Sequence, residues 1–485
     1  MFFCQKLLFA VYYSSSMNQC IKKSYSEHAA VIYGNAMYQS KKYLQRSVLL
    51  TAYCLPRMEV SHTMLAIFLA PLYILINIYI VRWMILWMGA CTHLFQTPLF
   101  RVCFAGACTH FFQAFAFRAC FAGVYIFLST SLLTCFLIRK PPALHRFLKN
   151  TANYFQGTFL YILIVIVTTD FCRLILKHTL HPAWMYSRKA FVVTGAVCTL
   201  LIIGVSLYGI FNQWNIKTKT YDVKIDKQVK GMDSLKIVLL ADIHFGYSIG
   251  EKHAGLLAKK INAEDPDLIC IAGDIFDNEY EGIKNPKKTA AILRSLKSRY
   301  GVYACWGNHD LSEPILAGFT FRNAKKDYDD PRMRNFLESA NIRLLNDETV
   351  LIDKRFYLTG RKDPSRCRKM SDTRKDPDQL TAYLDKTLPI IFMDHQPDQL
   401  DEVAAAGADL DLCGHTHDGQ LFPLNIITGL VWENSCGYLK KGTMHNIVTS
   451  GAGIWGPNMR TATNSEICSI TVHFYPARPN SSDPS

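Results

Sequence analysis

The sequence predicts a helical multi-pass membrane region followed by an α/β layered domain. Three observations carry that reading. Long apolar stretches and an excess of basic charge are confined to the first 216 residues. Beyond them, short apolar runs alternate with segments of helical apolar spacing. Seven side chains suited to metal coordination stand directly after five of those runs. At 485 residues the chain is long enough for a membrane unit plus one domain of ordinary size.

Residues 1–63 form an uncharacterised arm. Its opening, MFFCQKLLFAVYYSSS, has one lysine and a short apolar run, weaker than a signal peptide, and also reads as an extension upstream of the true start. Residues 64–216 hold about four expected spans: Met64–Ile80, Ala119–Ile138, Phe159–Leu176 and Ala190–Phe211. A span needs roughly 20 mostly apolar residues. The first reaches that length only by continuing past Arg82 to Trp87. The third carries Asp170 and Arg173 close enough to its end to reach the interface. Between the first two lies a tandem repeat at 89–122, GACTHLFQTPLFRVCFA then GACTHFFQAFAFRACFA, identical at 12 of 17 positions. Duplication accounts for its Cys91/His93 and Cys108/His110 better than a metal site does. The repeat is apolar enough to be interfacial, re-entrant or partly spanning, and one extra span would move the following domain across the membrane.

The net charge of +14 belongs to the membrane region. Residues 1–216 contain 18 Lys and Arg against 3 Asp and Glu, and the remainder contains 35 against 36. A neutral C-terminal half excludes a strongly basic nucleic-acid surface, so no long nucleic acid is expected as a partner. The expected partner is the lipid bilayer, with basic flanks setting topology and touching anionic headgroups. The 16 cysteines show no disulfide framework. Cys270, Cys305 and Cys413 fall within or at the end of expected core strands and read as buried reduced thiols. The one N-x-[ST] sequon, Asn480, lies in a flexible tail at 476–485. These features lean toward a cytosolic domain. Basic residues in the arm, in Arg139–Lys149 and after Phe211 agree, whereas the loop carrying Arg173, Lys177, Arg188 and Lys189 opposes it.

Residues 217–475 form the C-terminal domain. Buried strands are expected at Leu235–Ala241, Asp267–Ala272, Gly301–Trp306, Pro389–Met393 and Ala408–Cys413. Helices are expected at Lys252–Asn262, Pro286–Leu296, Arg334–Ser339, Gln379–Leu384 and Pro397–Ala406, with Pro286 and Pro397 as first-turn residues. Two charged stretches interrupt the pattern, Phe321–Arg334 and Arg361–Asp378. The second reads as a solvated loop or as a guide for phosphate.

After the strands come Asp242 and His244 in LLADIH, Asp274 in IAGDIFD, Asn308 in WGNHD, His395 in MDHQP, and His415 and His417 in CGHTH. Ligands at strand ends can converge on one side of a sheet. Hard oxygen and imidazole donors without thiolate suit Mn, Fe or Zn. His395 alone would more often be structural, and its place in the series is what makes it a ligand. Asp277 reads equally as a partner to a ligand or as a turn residue. Asp394 could support its neighbour His395, while His253 and His445 match no motif.

In this order the motifs resemble the calcineurin-like metallophosphoesterases, whose pattern is D-x-H, GD, GNH[DE], a lone His and G-H-x-H. The resemblance covers Lys217–Phe474. GHTHDGQLFP and the later VTSGAGIWGPNMRTATNSEICSITV resemble a branch that carries GHTHGGQ and S-R-G-x-G…P-x-R. Asp418 stands where that branch has glycine, and Gly451 where it has arginine. The resemblance implies an α/β metallophosphoesterase domain of two packed mixed β-sheets flanked by helices. It also implies two divalent metal ions, one on Asp242, His244 and His417, the other on Asn308, His395 and His415. Asp274 is the natural bridge between them, since a shared carboxylate offsets charge on both. Ions about 3.5–4 Å apart clamp the attacking and leaving oxygens of a phosphate ester. His309 would protonate the leaving group or stabilise the transition state, with Asp310 orienting its ring.

The expected activity is hydrolysis of a phosphomonoester or phosphodiester substrate, with a lipid-linked one as the further step suggested by anchoring. A non-catalytic membrane scaffold or adaptor would be expected to have lost ligands, and none is lost. A transporter would show paired, interrupted spans, which this sequence lacks.

Overall fold

The computed structural model of the protein describes residues 62–94, 115–313, 315–316, 319–320 and 328–475. The N-terminal arm, residues 95–114 of the tandem repeat, residues 321–327 of the first charged stretch and Asn480 in the tail lie outside the described residues.

Four long helices come first: α1 (His62–Leu94), α2 (Phe115–Leu137), α3 (Pro142–Thr179) and α4 (Arg188–Asn212). Each contains a stretch long and apolar enough to cross a membrane. Helix α1 continues through Arg82, as the first span requires. Polar bonds tie the helices together. Tyr73 Oη donates to the Ser129 carbonyl (2.7 Å), and Tyr125 Oη to Asn77 Oδ1 (2.9 Å). Trp87 Nε1 donates to the Val192 carbonyl (3.0 Å). Asp170 and Arg173 engage each other at 3.4 Å, with Tyr79 Oη donating to Asp170 at 2.5 Å. Helix α3 is much longer than the span expected at Phe159–Leu176, because it starts at Pro142, whose fixed φ suits a first turn. The added first half runs along the C-terminal domain. Arg146 Nη1 donates to the Gly282 carbonyl (2.9 Å), and Asn153 Nδ2 to Ser248 Oγ (3.1 Å).

The C-terminal domain begins with β1 (Lys217–Ile225), β2 (Ser234–Leu240), α5 (Glu251–Ala263), β3 (Leu268–Ala272), α6 (Pro286–Arg294) and β4 (Val302–Cys305). A hairpin of β5 (Ile315–Leu316) and β6 (Phe319–Thr320) leads to α7 (Pro331–Ser339), β7 (Ile342–Leu344), β8 (Glu348–Ile352) and β9 (Phe356–Gly360). Then come α8 (Pro364–Met370), α9 (Pro377–Thr381), β10 (Ile390–Met393), α10 (Leu400–Ala405), β11 (Leu410–Cys413) and α11 (Leu424–Val431). The last elements are β12 (Gly437–Lys441), β13 (Met444–Val448) and β14 (Glu466–Phe474).

Two six-stranded mixed sheets result, β1-β14-β2-β3-β4-β7 and β12-β13-β11-β10-β9-β8. Strands β2, β3 and β4 are mutually parallel, and so are β9, β10, β11 and β13. The two-residue alternation of strands explains the layering. In β3, Leu268, Cys270 and Ala272 join Ile391, Met393, Leu410 and Leu412 in the core between the sheets. Ile269 and Ile271 face the other way, onto α5, α6 and α7. A strand buried on both faces reads as a continuous apolar run, which is why these strands were legible.

Some expected boundaries shift. The helix expected at Pro397–Ala406 starts at Leu400, so Pro397 is not a first-turn residue. Gln399 takes a left-handed φ of 53° and breaks the path from the strand. Helix α6 stops at Arg294, and the expected Gln379–Leu384 is Pro377–Thr381. Helix α7 starts at Pro331 because Asp330 caps it, accepting from the Arg332 N–H.

The basic stretch 361–378 is only in part the solvated loop expected: Arg368, Lys375 and residues 371–373 are exposed, whereas three of its arginines are paired. Arg361 is fully buried, with Nη1 2.5 Å from Asp394 and Nη2 donating to Gln399. Arg374 reaches both Asp394 oxygens at 2.6 Å, and Arg366 pairs with Asp329 at 2.7 Å. These three arginines hold two loops, and a guanidinium is the group whose fork suits that task.

His253 and His445 are structural. His445 bridges Tyr438 Oη and the Lys224 carbonyl. His253 Nε2 donates to the Ala452 carbonyl at 2.7 Å, and burial holds its pKa down to about 4. An unfolded histidine titrates near 6.5. The contribution of the neutral ring is therefore complete above pH ~6.5 and is lost as pH falls from there toward 4, on the order of 3 kcal/mol. The thermal inactivation midpoint should drop between pH 6.5 and 4.5 in wild type and drop less in His253→Gln. Equal drops would disprove this.

Candidate metal centre

Every expected ligand lies just past the C-terminal end of a parallel strand. Asp242 and His244 follow β2, Asp274 follows β3, and Asn308 follows β4. His395 follows β10, and His415 and His417 follow β11. Because the two sheets pack face to face, their strand ends bring these side chains together. The chain reverses sharply there. Asp242, His244, Asp274, His415 and His417 all have left-handed φ between 49° and 74°. Such backbone costs free energy in non-glycine residues and collects at functional sites. Asp418 is left-handed as well, at 46°, which explains why glycine is usual there and why a short aspartate is tolerated.

Two groups of donor atoms converge, Asp242–His244–His417 and Asp274–His395–His415, each with its atoms within 4.8 Å of one another. In the first, His244 Nε2 is 3.0 Å from His417 Nε2, and His417 Nε2 is 3.7 Å from Asp242 Oδ1. In the second, His395 Nε2 is 3.2 Å from His415 Nδ1, 3.2 Å from Asp274 Oδ2 and 3.1 Å from Asn308 Oδ1. Bonds of about 2.0–2.1 Å at tetrahedral angles place donors roughly 3.3 Å apart, so these clusters fit divalent ions. Asp274 Oδ2 also lies 3.7 Å from His244 Nε2, between the two groups.

The electrostatics ask for positive charge. Burial raises the pKa of Asp242 to about 7, helped by Asp274. Burial opposes ionisation of Asp274 too, yet His395 and His309 hold its pKa well below the usual range. His395 is held charged by Asp274 against its own burial. The proton on His395 thus occupies a place that a cation would take. Burial keeps His244 neutral, with a pKa of about 4, and His415 with one of about 3.

Glycines make the approach possible. A Cβ on Gly307 would stand 2.2 Å from Asp274 Oδ1 and 2.4 Å from its N, so the backbone after β4 passes directly over that carboxylate. Gly307→Ala should displace Asp274 and lower bound metal per chain by at least one ion, read by elemental analysis of the purified full chain. Unchanged metal content would disprove this.

The structure revises one expected role. Asp310 does not orient the His309 ring, because its carboxylate accepts from the N–H groups of Gly307 (2.7 Å) and Phe276 (2.8 Å). Instead His309 Nδ1 pairs with Asn278 Oδ1. Asn278 is fixed in turn, its own N–H donating to the His309 carbonyl (3.1 Å). Asp277 Oδ1 sits 3.9 Å from His244 Nδ1, close to the first group of donors. Asp394 neighbours His395 in sequence but is spent on Arg361 and Arg374.

Further side chains stand at the site, and of these Lys369 lies in the basic stretch read from the sequence as a solvated loop or a guide for phosphate. Arg460 is fully buried behind the first donor group, with Nη2 3.3 Å from His417 Nδ1. Lys369 Nζ donates to the Asn308 carbonyl (3.1 Å). Trp432 packs on the His415 ring and Trp455 on the His309 ring, each with centroids 5.3 Å apart. Asn278 sits four residues past Asp274, and Arg460 lies inside the late motif stretch. Nothing in the spacing alone marked either residue.

Residues 235–419 match the family model of calcineurin-like phosphoesterases. An uncharacterised metallophosphoesterase of Helicobacter pylori is 31% identical over 261 residues, covering 53% of this chain and 63% of that protein. The transmembrane protein with metallophosphoesterase domain of Danio rerio is 28% identical over 289 residues, 57% of this chain and 62% of that protein. The UDP-2,3-diacylglucosamine pyrophosphatase LpxG of Chlamydia trachomatis is 22% identical over 230 residues, 41% of this chain and 68% of that protein. The chain thus spans about three fifths of the length of the first two of these relatives.

Proposed function

From the premise that this chain carries a calcineurin-like phosphoesterase domain behind four apolar helices, we propose that it is a membrane-anchored, dinuclear metal-dependent phosphoesterase. It hydrolyses a phosphomonoester or phosphodiester. The observation that carries this is the pair of donor groups with one carboxylate, Asp274, between them. Two divalent ions bound there would neutralise phosphate charge and supply the nucleophile. Asp242, His244 and His417 would hold one ion, and Asn308, His395 and His415 the other. LpxG, a relative named for acting on a lipid-bearing pyrophosphate, supports a substrate with a lipid part.

His309 serves the leaving oxygen. With Nδ1–H donated to Asn278, the neutral ring presents the lone pair of Nε2. Burial holds the ring well below its usual pKa, so it is neutral in the resting site. A proton taken up from water at Nε2 would then pass to the departing oxygen. Asp310 acts more indirectly, by clamping the backbone turn that carries Asn308 and His309.

The test uses the full chain in detergent micelles. Elemental analysis should find two Mn, Fe or Zn ions per chain, and bis-p-nitrophenyl phosphate or p-nitrophenyl phosphate should be hydrolysed. A chelator should abolish turnover and added Mn restore it. A chain that binds no more than one ion and turns over neither ester would refute the proposal and favour a scaffold.

A further inference from the structure

Helix α11 lies between the last ligand motif and β12, and it has no buried residue. Its sequence, LNIITGLV, carries no charge. Phe422, Leu424, Ile426, Ile427, Leu430 and Val431 are 38–60% exposed. A contiguous exposed apolar strip of this kind marks a surface that something covers.

Its position says what. Tyr161 of α3 donates its hydroxyl to the Phe422 carbonyl (3.0 Å) and also pairs with Thr461. Glycines let the site's rim press onto the helices. The space a Cβ would need on Gly157 is filled by Met459, and on Gly209 by Thr461. From Gly209 back to the start of α4 at Arg188 is about 32 Å of helix, at 1.5 Å per residue. That matches a hydrocarbon core of about 30 Å. Tyr161, Gly209 and the bonded Phe422 therefore mark one boundary of the bilayer, and α11 starts two residues past Phe422. At its other end the strip continues through Val431 into Trp432, whose ring packs on His415, and Trp455 packs on His309. Tryptophans favour that boundary.

We propose that α11 lies in the interface of the same bilayer that the four long helices cross, and that it admits the phosphate headgroup of a membrane lipid laterally to the metal centre. Phe422 and the apolar face of α11 meet the acyl chains, Trp432 and Trp455 wall the passage, and the phosphate reaches the ligands without leaving the membrane surface. This rests on the phosphoesterase reading and adds the substrate class and its route.

The full chain is reconstituted in phosphatidylcholine nanodiscs with a fluorescent amino acid introduced at Ile427. Doxyl-labelled lipid should quench it and aqueous iodide should not. Quenching by iodide alone, or by neither because another protein copy covers the face, overturns the membrane seat. The second arm measures bis-p-nitrophenyl phosphate hydrolysis in discs containing phosphatidic acid, against the same phosphate supplied as soluble glycerol 3-phosphate. The lipid should inhibit, or compete as a substrate, at least tenfold more effectively. In Ile426→Glu/Leu430→Glu that advantage should vanish, with soluble turnover and melting temperature unchanged. Equal potency of the two phosphates in wild type overturns the lateral route. A wild-type chain inert toward the soluble ester sinks the phosphoesterase reading instead, and the quenching arm still decides the seat of α11.

Discussion

Asp274→Asn should reduce hydrolysis of bis-p-nitrophenyl phosphate by about 10³-fold or more. The carboxylate lies between both donor clusters, 3.2 Å from His395 Nε2 and 3.7 Å from His244 Nε2. An amide keeps the shape and removes the charge. The transition state then loses several kcal/mol of metal-dependent stabilisation, and about 4 kcal/mol corresponds to three orders of magnitude in rate. Loss of the shared charge should also weaken the binding of both ions. Elemental analysis should therefore find fewer than two per chain, while circular dichroism stays unchanged. Activity within tenfold of wild type would show that Asp274 is not the bridge. His395 offers an internal check. Its pKa is raised well above normal by Asp274, with Asp242 and Asp363, against its burial, so in the metal-free variant its pKa should fall, visible by NMR of labelled histidine.

Arg460→Met should have the largest effect on stability. The guanidinium is fully buried and donates to the carbonyls of Ser450 (2.8 Å), Gly453 (2.7 and 3.0 Å) and Asn464 (3.2 Å), and to Thr463 Oγ1 (2.7 Å). Burial lowers its pKa to about 10, so it remains charged at neutral pH. A methionine fills the volume but leaves several carbonyls without donors, at about 1–3 kcal/mol for each that stays buried. A loss on the order of 3 kcal/mol or more is expected, read as a fall in the thermal inactivation midpoint of the full chain. The Arg460 backbone adds a second consequence. Its N–H donates to the Gly209 carbonyl and its carbonyl accepts from Asn212, both on α4. Loosening this loop should therefore raise hydrogen exchange at the end of α4 as well as around the metal centre. An unshifted midpoint would show the loop is held by other contacts.

The division between legible and illegible residues follows from range. Strands such as Leu268–Ala272 announce themselves because burial on both faces demands an unbroken apolar run. The ligand motifs announce themselves because strand ends need a short turn followed by donors, and all seven candidate side chains come together. The lengths of the expected spans were partly readable. The extra turns of α3 were not, since its amphipathic first half is stabilised by contacts such as Arg146 to Gly282, 136 residues away. Boundary errors such as Pro397 arise where one left-handed residue, Gln399, redirects the chain.

The sequence by itself determined the layered architecture, the apolar helices and the candidate metal donors, because these depend on periodicity and on residue type. Only the tertiary structure decided that Asn278 rather than Asp310 holds His309, that Arg361, Arg366 and Arg374 are ion-paired, and that the chain just before an uncharged helix bonds to Tyr161 of α3. Those outcomes depend on which distant groups become neighbours. Packing of two sheets and four helices sets that, and no local pattern encodes it.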